Sequence, residues 1–152
     1  RCRCTTTCDA LMRGAALVFV GGALGSLARY GLGLVVEPFW SVWVVNVLGS
    51  LALGLLLGWL RAESLPSSCP QPAKFAPTAR EVRAHSLRLL AGTGFLGGFT
   101  TYSAFALDIV SWGMVAGPVF GLAAGAAQVA FGLVAALLGF AIAESASVRR
   151  AA

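Results

Sequence analysis

Charged residues are scarce in this sequence. Asp, Glu, Lys and Arg make up 11% of its 152 residues, where a soluble domain carries about 25%, and 58% of the residues are hydrophobic. This shortage excludes a soluble globular domain and indicates an integral membrane protein. The net charge of +5 does not indicate nucleic-acid binding, because the basic residues lie in short polar segments between apolar runs and act as topology signals.

Metal-binding side chains are scarce as well. The chain has a single histidine, His85, and four cysteines whose spacing matches no standard zinc pattern. A standard zinc site is therefore excluded. The cysteines all lie outside the apolar runs and are expected to be reduced and without function; they are Cys2, Cys4, Cys8 and Cys69.

Long stretches without charge define the predicted membrane segments. Residues 38–60, 89–107 and 109–143 contain no charged residue, and residues 14–36 contain only Arg29. About 20 apolar residues span a bilayer, so these runs predict an all-α membrane protein with four transmembrane helices. The predicted helices cover about 14–36, 39–60, 86–111 and 118–143.

The four helices form one predicted membrane domain, residues 14–146. A polar segment precedes it at 1–13, a loop rich in Ser, Pro and charge covers 61–85, and a tail follows at 147–152. Glycines and Pro118 predict a short connection at about 112–117, with Pro118 in the first turn of the last helix.

Lys and Arg are absent from the connections near residues 37 and 113. Of the eleven basic residues, all except Arg29 lie before the first helix, in or beside the long loop, or after the last helix. The positive-inside rule therefore predicts that both termini and the long loop are cytoplasmic. Met12 is an alternative translation start, and removing Arg1 and Arg3 leaves the same asymmetry.

Two polar residues inside the predicted helices each allow two interpretations. A charge at the depth of Arg29 is costly, so Arg29 either snorkels to the outer surface as an anchor or draws anions into a water-filled vestibule. Asn46 lies well inside the second helix. Its amide either bonds to a neighbouring helix or faces a ligand.

The stretch "GFLGGFTTYSAF", residues 94–105, combines three glycines with three hydroxyl residues inside an apolar run. It also completes a G-x-G-x-x-G pattern, but dinucleotide binding is excluded because the flanks are transmembrane. The composition predicts a helix that breaks in the membrane. Such a break exposes backbone groups that must line a cavity, and its carbonyls suit a cation. Beyond it, Tyr102 and Phe105 share one helix face.

These stretches resemble the CrcB/Fluc-type fluoride channel family. The resemblance rests on "GGALGSLARYG" (21–31), "VVNVLGSLALG" (44–54), "GFLGGFTTYSAF" (94–105) and a looser "FGLVAALLG" (131–139). It implies a passive, fluoride-selective channel rather than an enzyme. It also implies an antiparallel dimer of four-helix subunits with two narrow fluoride pathways.

The resemblance further implies which residues form the pathway. The backbone carbonyls of Gly97 and Thr100 would hold a structural sodium ion. Tyr102 and Phe105 stand at the family's pore phenylalanines, so Tyr102 adds a hydroxyl, and Asn46 and Arg29 match the family's asparagine and arginine. Hydrogen bonds to fluoride would come from Asn46, Thr101 and Ser103, and the polar track of the fourth helix is reduced to Gln128.

Two other functions are alternatives to the channel. A proton-coupled small multidrug-type exporter needs a membrane-buried carboxylate, but Glu37 lies at the end of the first helix and Asp108 near the edge of the third. A purely structural subunit leaves the broken helix unexplained. If the dimer is antiparallel, the one-sided charge distribution predicts that the partner is an oppositely biased paralogue, one whose Lys and Arg residues favour the opposite orientation in the membrane.

Overall fold

The computed structural model describes residues 3–64 and 79–151. All secondary-structure elements in these two ranges are helices: α1 (Arg3–Val35), α2 (Pro38–Ser64), α3 (Ala79–Leu87), a π-helical stretch π1 (Arg88–Leu96), α4 (Gly97–Phe99), α5 (Tyr102–Ala116) and α6 (Pro118–Ala151). Cys2, Cys69 and most of the predicted loop lie outside the described residues.

Three helices in the described ranges are long and apolar enough to cross a membrane. Their candidate spans are Leu11–Val35, Trp40–Arg61 and Pro118–Ser147. The third predicted segment is divided among π1, α4 and α5, because the chain leaves the helical conformation at Thr100 and Thr101. None of these pieces is a continuous span, although α3, π1 and α4 follow one another without interruption. We call residues 88–116 the third membrane segment.

Helix ends differ from the predicted ones at two places. α1 begins at Arg3, so the predicted polar segment is helical from that residue onward. α5 continues to Ala116, and only Gly117, at φ 98°, separates it from α6. The predicted connection at 112–117 is therefore too long. Gly113 is a packing position and not a helix break, since a Cβ on Gly121 would lie 2.7 Å from the Gly113 nitrogen.

Small residues spaced four apart allow the helix backbones to touch. Gly21 and Gly25 of α1 are buried against π1, where a Cβ would overlap the carbonyl oxygens of Leu90 and Phe95. Gly54 of α2 meets the carbonyl of Ala136 in α6 in the same way. These glycines are therefore helix contacts.

The third membrane segment changes its packing partner halfway. π1 and α4 pack on α1, whereas α5 packs on α6, and α2 packs along α6. Contacts advance in the same direction along α1 and π1, and also along α2 and α6, so each of these pairs is parallel. α2 runs antiparallel to the third membrane segment, because Gly92 meets Leu56 whereas Thr100 meets Gly49. α1 therefore begins, and α6 ends, at the same end of the bundle. The interruption lies where the segment passes from one helix pair to the other.

Candidate functional site

The interruption of the third membrane segment consists of two extended residues. Thr100 has φ −75° and ψ 158°, and Thr101 has φ −143° and ψ 121°. On the near side, the Thr100 N–H and hydroxyl both donate to the Leu96 carbonyl at 2.9 Å. On the far side, the Ala104 N–H donates to Thr101 Oγ1 at 3.3 Å, which makes Thr101 the N-cap of α5.

Asn46 of α2 binds the interruption through both the nitrogen and the oxygen of its side-chain amide. Its Nδ2 donates to the Thr101 carbonyl at 3.2 Å, and its Oδ1 accepts from the Thr101 N–H at 3.0 Å. The predicted alternative of a bond to a neighbouring helix is therefore confirmed for this amide. Because the Asn NH2 group carries two protons, one N–H remains available for a ligand.

Backbone carbonyls lose their helical partners at this point, and those of Gly97 and Thr100 are among them. In an uninterrupted helix the Thr101 N–H would bind the Gly97 carbonyl and the Ala104 N–H would bind the Thr100 carbonyl. Here Thr101 donates to Asn46 and Ala104 donates to the Thr101 hydroxyl. The structure therefore frees the carbonyls of Gly97 and Thr100, the two groups expected to bind sodium.

A groove of about 660 Å³ lies beside the interruption. It brings together seven of the predicted site residues from α2, the third membrane segment and α6. The groove is open on one side, and Tyr102 at its mouth is 82% exposed. The rings of Tyr102 and Phe105 lie 6.0 Å apart between centroids, tilted by 41°. The seven residues are Asn46, Gly97, Thr100, Thr101, Tyr102, Phe105 and Gln128.

The sequence of the chain matches a known family over most of its length. The family described as CrcB-like protein, Camphor Resistance (CrcB), matches residues 16–140. This range covers more than half of the chain. The chain belongs to the CrcB family. The family expected from the sequence motifs is thereby confirmed.

Curated proteins similar to this CrcB chain carry consistent names. It is 40% identical to fluoride-specific ion channel FluC 2 of Leifsonia xyli subsp. xyli over 138 residues, 88% of this chain and 86% of the relative. It is 34% identical to fluoride-specific ion channel FluC of Novosphingobium aromaticivorans over 141 residues, 86% and 96% of the two chains. The FluC of Hyphomonas neptunium is 39% identical over 106 residues, 66% of this chain and 71% of that protein.

The range that matches the CrcB family includes two further polar residues of the groove, of which only one was predicted from the sequence. Gln128 was predicted as a site residue; it is 4% exposed, lines the groove and donates from Nε2 to the Val42 carbonyl at 3.4 Å. Ser50 was not predicted as a site residue, yet it also lines the groove. Its position four residues after Asn46 on the same helix face was the signal that could have found it.

A second cavity in this CrcB protein holds the remaining predicted residues. It has a volume of about 270 Å³ and is lined by Arg29, Ser41, Thr101 and Ser103, among others. The hydroxyls of Thr101 and Ser103 lie 3.3 Å apart. Thr101 lines both this cavity and the groove, so it stands between the arginine and the aromatic rings.

Asp108 of α5 is a polar residue for which the sequence suggested no role in the pathway. Its Oδ2 is buried without a hydrogen-bond partner among the described residues of the CrcB chain. Asp108 does not line either cavity. In the described part of the chain, no group of three or more His, Cys, Asp or Glu residues could hold a metal ion.

Proposed function

We propose that this chain is a subunit of a fluoride-selective ion channel that lets fluoride leave the cytoplasm passively and so lowers its toxicity. The observation that carries the proposal is the interruption of the third membrane segment, where a groove gathers hydrogen-bond donors and two aromatic rings. The names of the curated relatives support the same ion. The function is transport and not catalysis.

The groove residues have the chemistry that fluoride requires. Fluoride is small and strongly hydrated, so a selective path must replace its water with donors. The second N–H of Asn46 and the hydroxyls of Thr101 and Ser103 can donate, and Gln128 is the donor from α6. Tyr102 and Phe105 present positive ring edges to an anion when they are turned edge-on.

Arg29 is proposed to attract anions to the second cavity. The guanidinium of this residue supplies a positive charge beside the hydroxyls of Thr101 and Ser103. The shared residue Thr101 supports an anion route from that cavity to the groove. Of the two interpretations of Arg29, the cavity favours the vestibule.

A structural sodium ion is proposed at the interruption. The freed carbonyls of Gly97 and Thr100 are neutral oxygen donors, the kind that coordinates Na⁺ where transporter helices are unwound. These residues fit the ion because the amides that would otherwise cover both oxygens are used elsewhere. When bound, sodium would neutralise the clustered carbonyl dipoles and stabilise the interrupted conformation.

The open side of the groove supports a dimer. Tyr102 projects from the subunit, and a cation at Gly97 and Thr100 would need ligands from elsewhere to complete its shell. We propose that a second subunit covers this side in the antiparallel orientation, with both termini of this chain cytoplasmic. Because the charge distribution favours one orientation, that partner is proposed to be an oppositely biased paralogue.

Fluoride and chloride efflux from liposomes tests the proposed function. The purified chain, with its partner if assembly requires one, is reconstituted without a pH gradient, and the two halides are compared by ion-selective electrodes. A channel of the proposed kind releases fluoride and retains chloride. Equal release of both halides, or no release of fluoride, would contradict the proposal.

A further inference from the structure

The side-chain amide of Asn46 contacts the pathway and also affects the Gly97 carbonyl. Its Oδ1 accepts the one backbone N–H that would otherwise bind the Gly97 carbonyl. At the same time its Nδ2 donates to the Thr101 carbonyl, so the two bonds hold both the N–H and the carbonyl of one residue. Asn46 thus holds the N–H of Thr101 that would otherwise bind the Gly97 oxygen.

The helix that carries Asn46 holds a fixed position relative to the interruption. Val45, the preceding residue, is 2% exposed, and α2 lies in backbone contact with α6 through Gly54. One turn further along, Gly49 leaves space for the side chain of Thr100, which a Cβ would overlap. α2 therefore positions both extended residues from a packed element, the arrangement that gives a site its precision.

We infer that Asn46 is the positioning residue of the cation site, because it takes the Thr101 N–H and leaves the Gly97 carbonyl free for a monovalent cation. The inference rests on the proposed sodium site. It gives Asn46 a role separate from donating to fluoride, since Oδ1 serves the backbone and the spare N–H serves the anion. Loss of the acceptor lets the Thr101 N–H return to Gly97, which closes the helix against the cation.

Substitutions at residue 46 separate the two roles. Asn46→Asp loses the Nδ2 donor to the Thr101 carbonyl but keeps an oxygen that accepts from the Thr101 N–H, so we expect it to retain sodium binding. It also places a negative charge beside the anion route and therefore loses fluoride flux. Asn46→Ala removes the acceptor and raises the sodium concentration for half-maximal stabilisation by about tenfold, because one backbone hydrogen bond now competes with the cation. Asn46→Leu, with a larger apolar side chain, is expected to do the same if Asn46→Ala leaves too much space to assemble.

The experiment is a sodium titration of the thermal unfolding midpoint of the assembled protein in detergent. N-methyl-D-glucamine replaces sodium to keep ionic strength constant, and Ser145→Ala is the control, because the Ser145 hydroxyl donates to the Ile142 carbonyl within α6 and lines neither cavity. A shift in Asn46→Ala but not in Asn46→Asp or Ser145→Ala supports the inference. Equal sodium dependence in the wild type and Asn46→Ala, or an equal shift in Ser145→Ala, would overturn it.

Rescue by backbone chemistry provides a second measurement. Replacing residue 101 with the α-hydroxy analogue of threonine turns its N–H into an ester oxygen, which cannot donate to Gly97. The same ester also makes the Thr100 carbonyl a weaker ligand, so the reference is the ester placed in the otherwise wild-type chain. Compared with that reference, the ester in the Asn46→Ala background restores sodium stabilisation to within about twofold, since no donor competes with the cation. Failure of the rescue in an assembled protein would contradict the inference. The readout is independent of fluoride flux, so failure of the proposed function remains distinguishable.

Discussion

Gly49 in α2 faces the side chain of Thr100, and a Cβ built on Gly49 would overlap the Thr100 γ-methyl group. The absence of a side chain at residue 49 thus sets how closely α2 approaches the interruption. In a packed site such an approach has little tolerance, because overpacking by a single methyl group forces side chains or backbone to move.

Gly49→Ala is therefore expected to displace Thr100 and reduce fluoride flux. The added methyl group should also lower the free energy of unfolding by about 1–3 kcal/mol, the usual cost of overpacking. Gly31→Ala is the matched control, because a Cβ there meets no atom within 4 Å among the described residues. Liposome flux and thermal unfolding measure both effects. Equal flux in the two variants would show that the approach of α2 is not critical.

Phe105→Ile tests the aromatic part of the pathway. The branched aliphatic chain keeps an apolar surface but removes the positive ring edge proposed to face the anion. We expect fluoride flux to fall by about tenfold or more, the effect of losing about 1.4 kcal/mol of anion stabilisation. The elution volume of the assembled protein should not change. Normal flux would remove Phe105 from the pathway, and loss of assembly would assign it to packing.

Gly97→Ala tests whether a second subunit approaches the interruption. A Cβ at Gly97 meets no atom within 4 Å in the described part of the subunit, so the substitution is tolerated by the subunit itself. If a partner lies against the groove, the added methyl group weakens assembly or sodium stabilisation. Size-exclusion chromatography with light scattering measures assembly, with Gly33→Ala as the control, another position with open space. Unchanged assembly together with unchanged sodium stabilisation would speak against a partner at Gly97.

Asp108→Asn separates a channel from a proton-coupled exporter. An exporter must load and release a proton on a membrane carboxylate, whereas passive permeation requires no proton exchange. We therefore expect Asp108→Asn to conduct fluoride in the absence of a pH gradient. The substitution replaces one carboxylate oxygen by an NH2 group. A neutral amide costs less to bury than an ionised carboxylate without a partner, so the assembled protein should be at least as stable as the wild type. Abolished flux in a correctly assembled variant would reopen the exporter interpretation.

Reporter fusions at both ends of the chain test the proposed partner. The one-sided distribution of Lys and Arg predicts that both ends of the chain, expressed alone, report the cytoplasm. Flux should then require co-expression with a subunit of opposite bias. A mixed population of orientations, or fluoride conduction by this chain alone, would exclude the need for a paralogue.

The sequence predicted more of the fold than of the site. Apolar length and charge placement were enough to predict helical membrane segments, and clustered glycines with threonines predicted the interruption. The contact partner of Asn46 was not predictable, because it depends on how α2 and the third membrane segment align in space. Gly113 was misinterpreted as part of a connection for a similar reason: its close neighbour Gly121 is brought to it by tertiary packing.

The interruption also brings two opposite helix ends together inside the membrane. α4 ends at Phe99 with its carbonyl end, and α5 begins at Tyr102 with its amide end, so partial negative and partial positive charge face each other across Thr100 and Thr101. A cation is favoured at the first end and an anion at the second. The backbone can therefore favour ions of both signs on the two sides of the interruption. Peptide dipoles at this depth need no ionised side chain, so the cost of inserting such a side chain into the membrane is avoided.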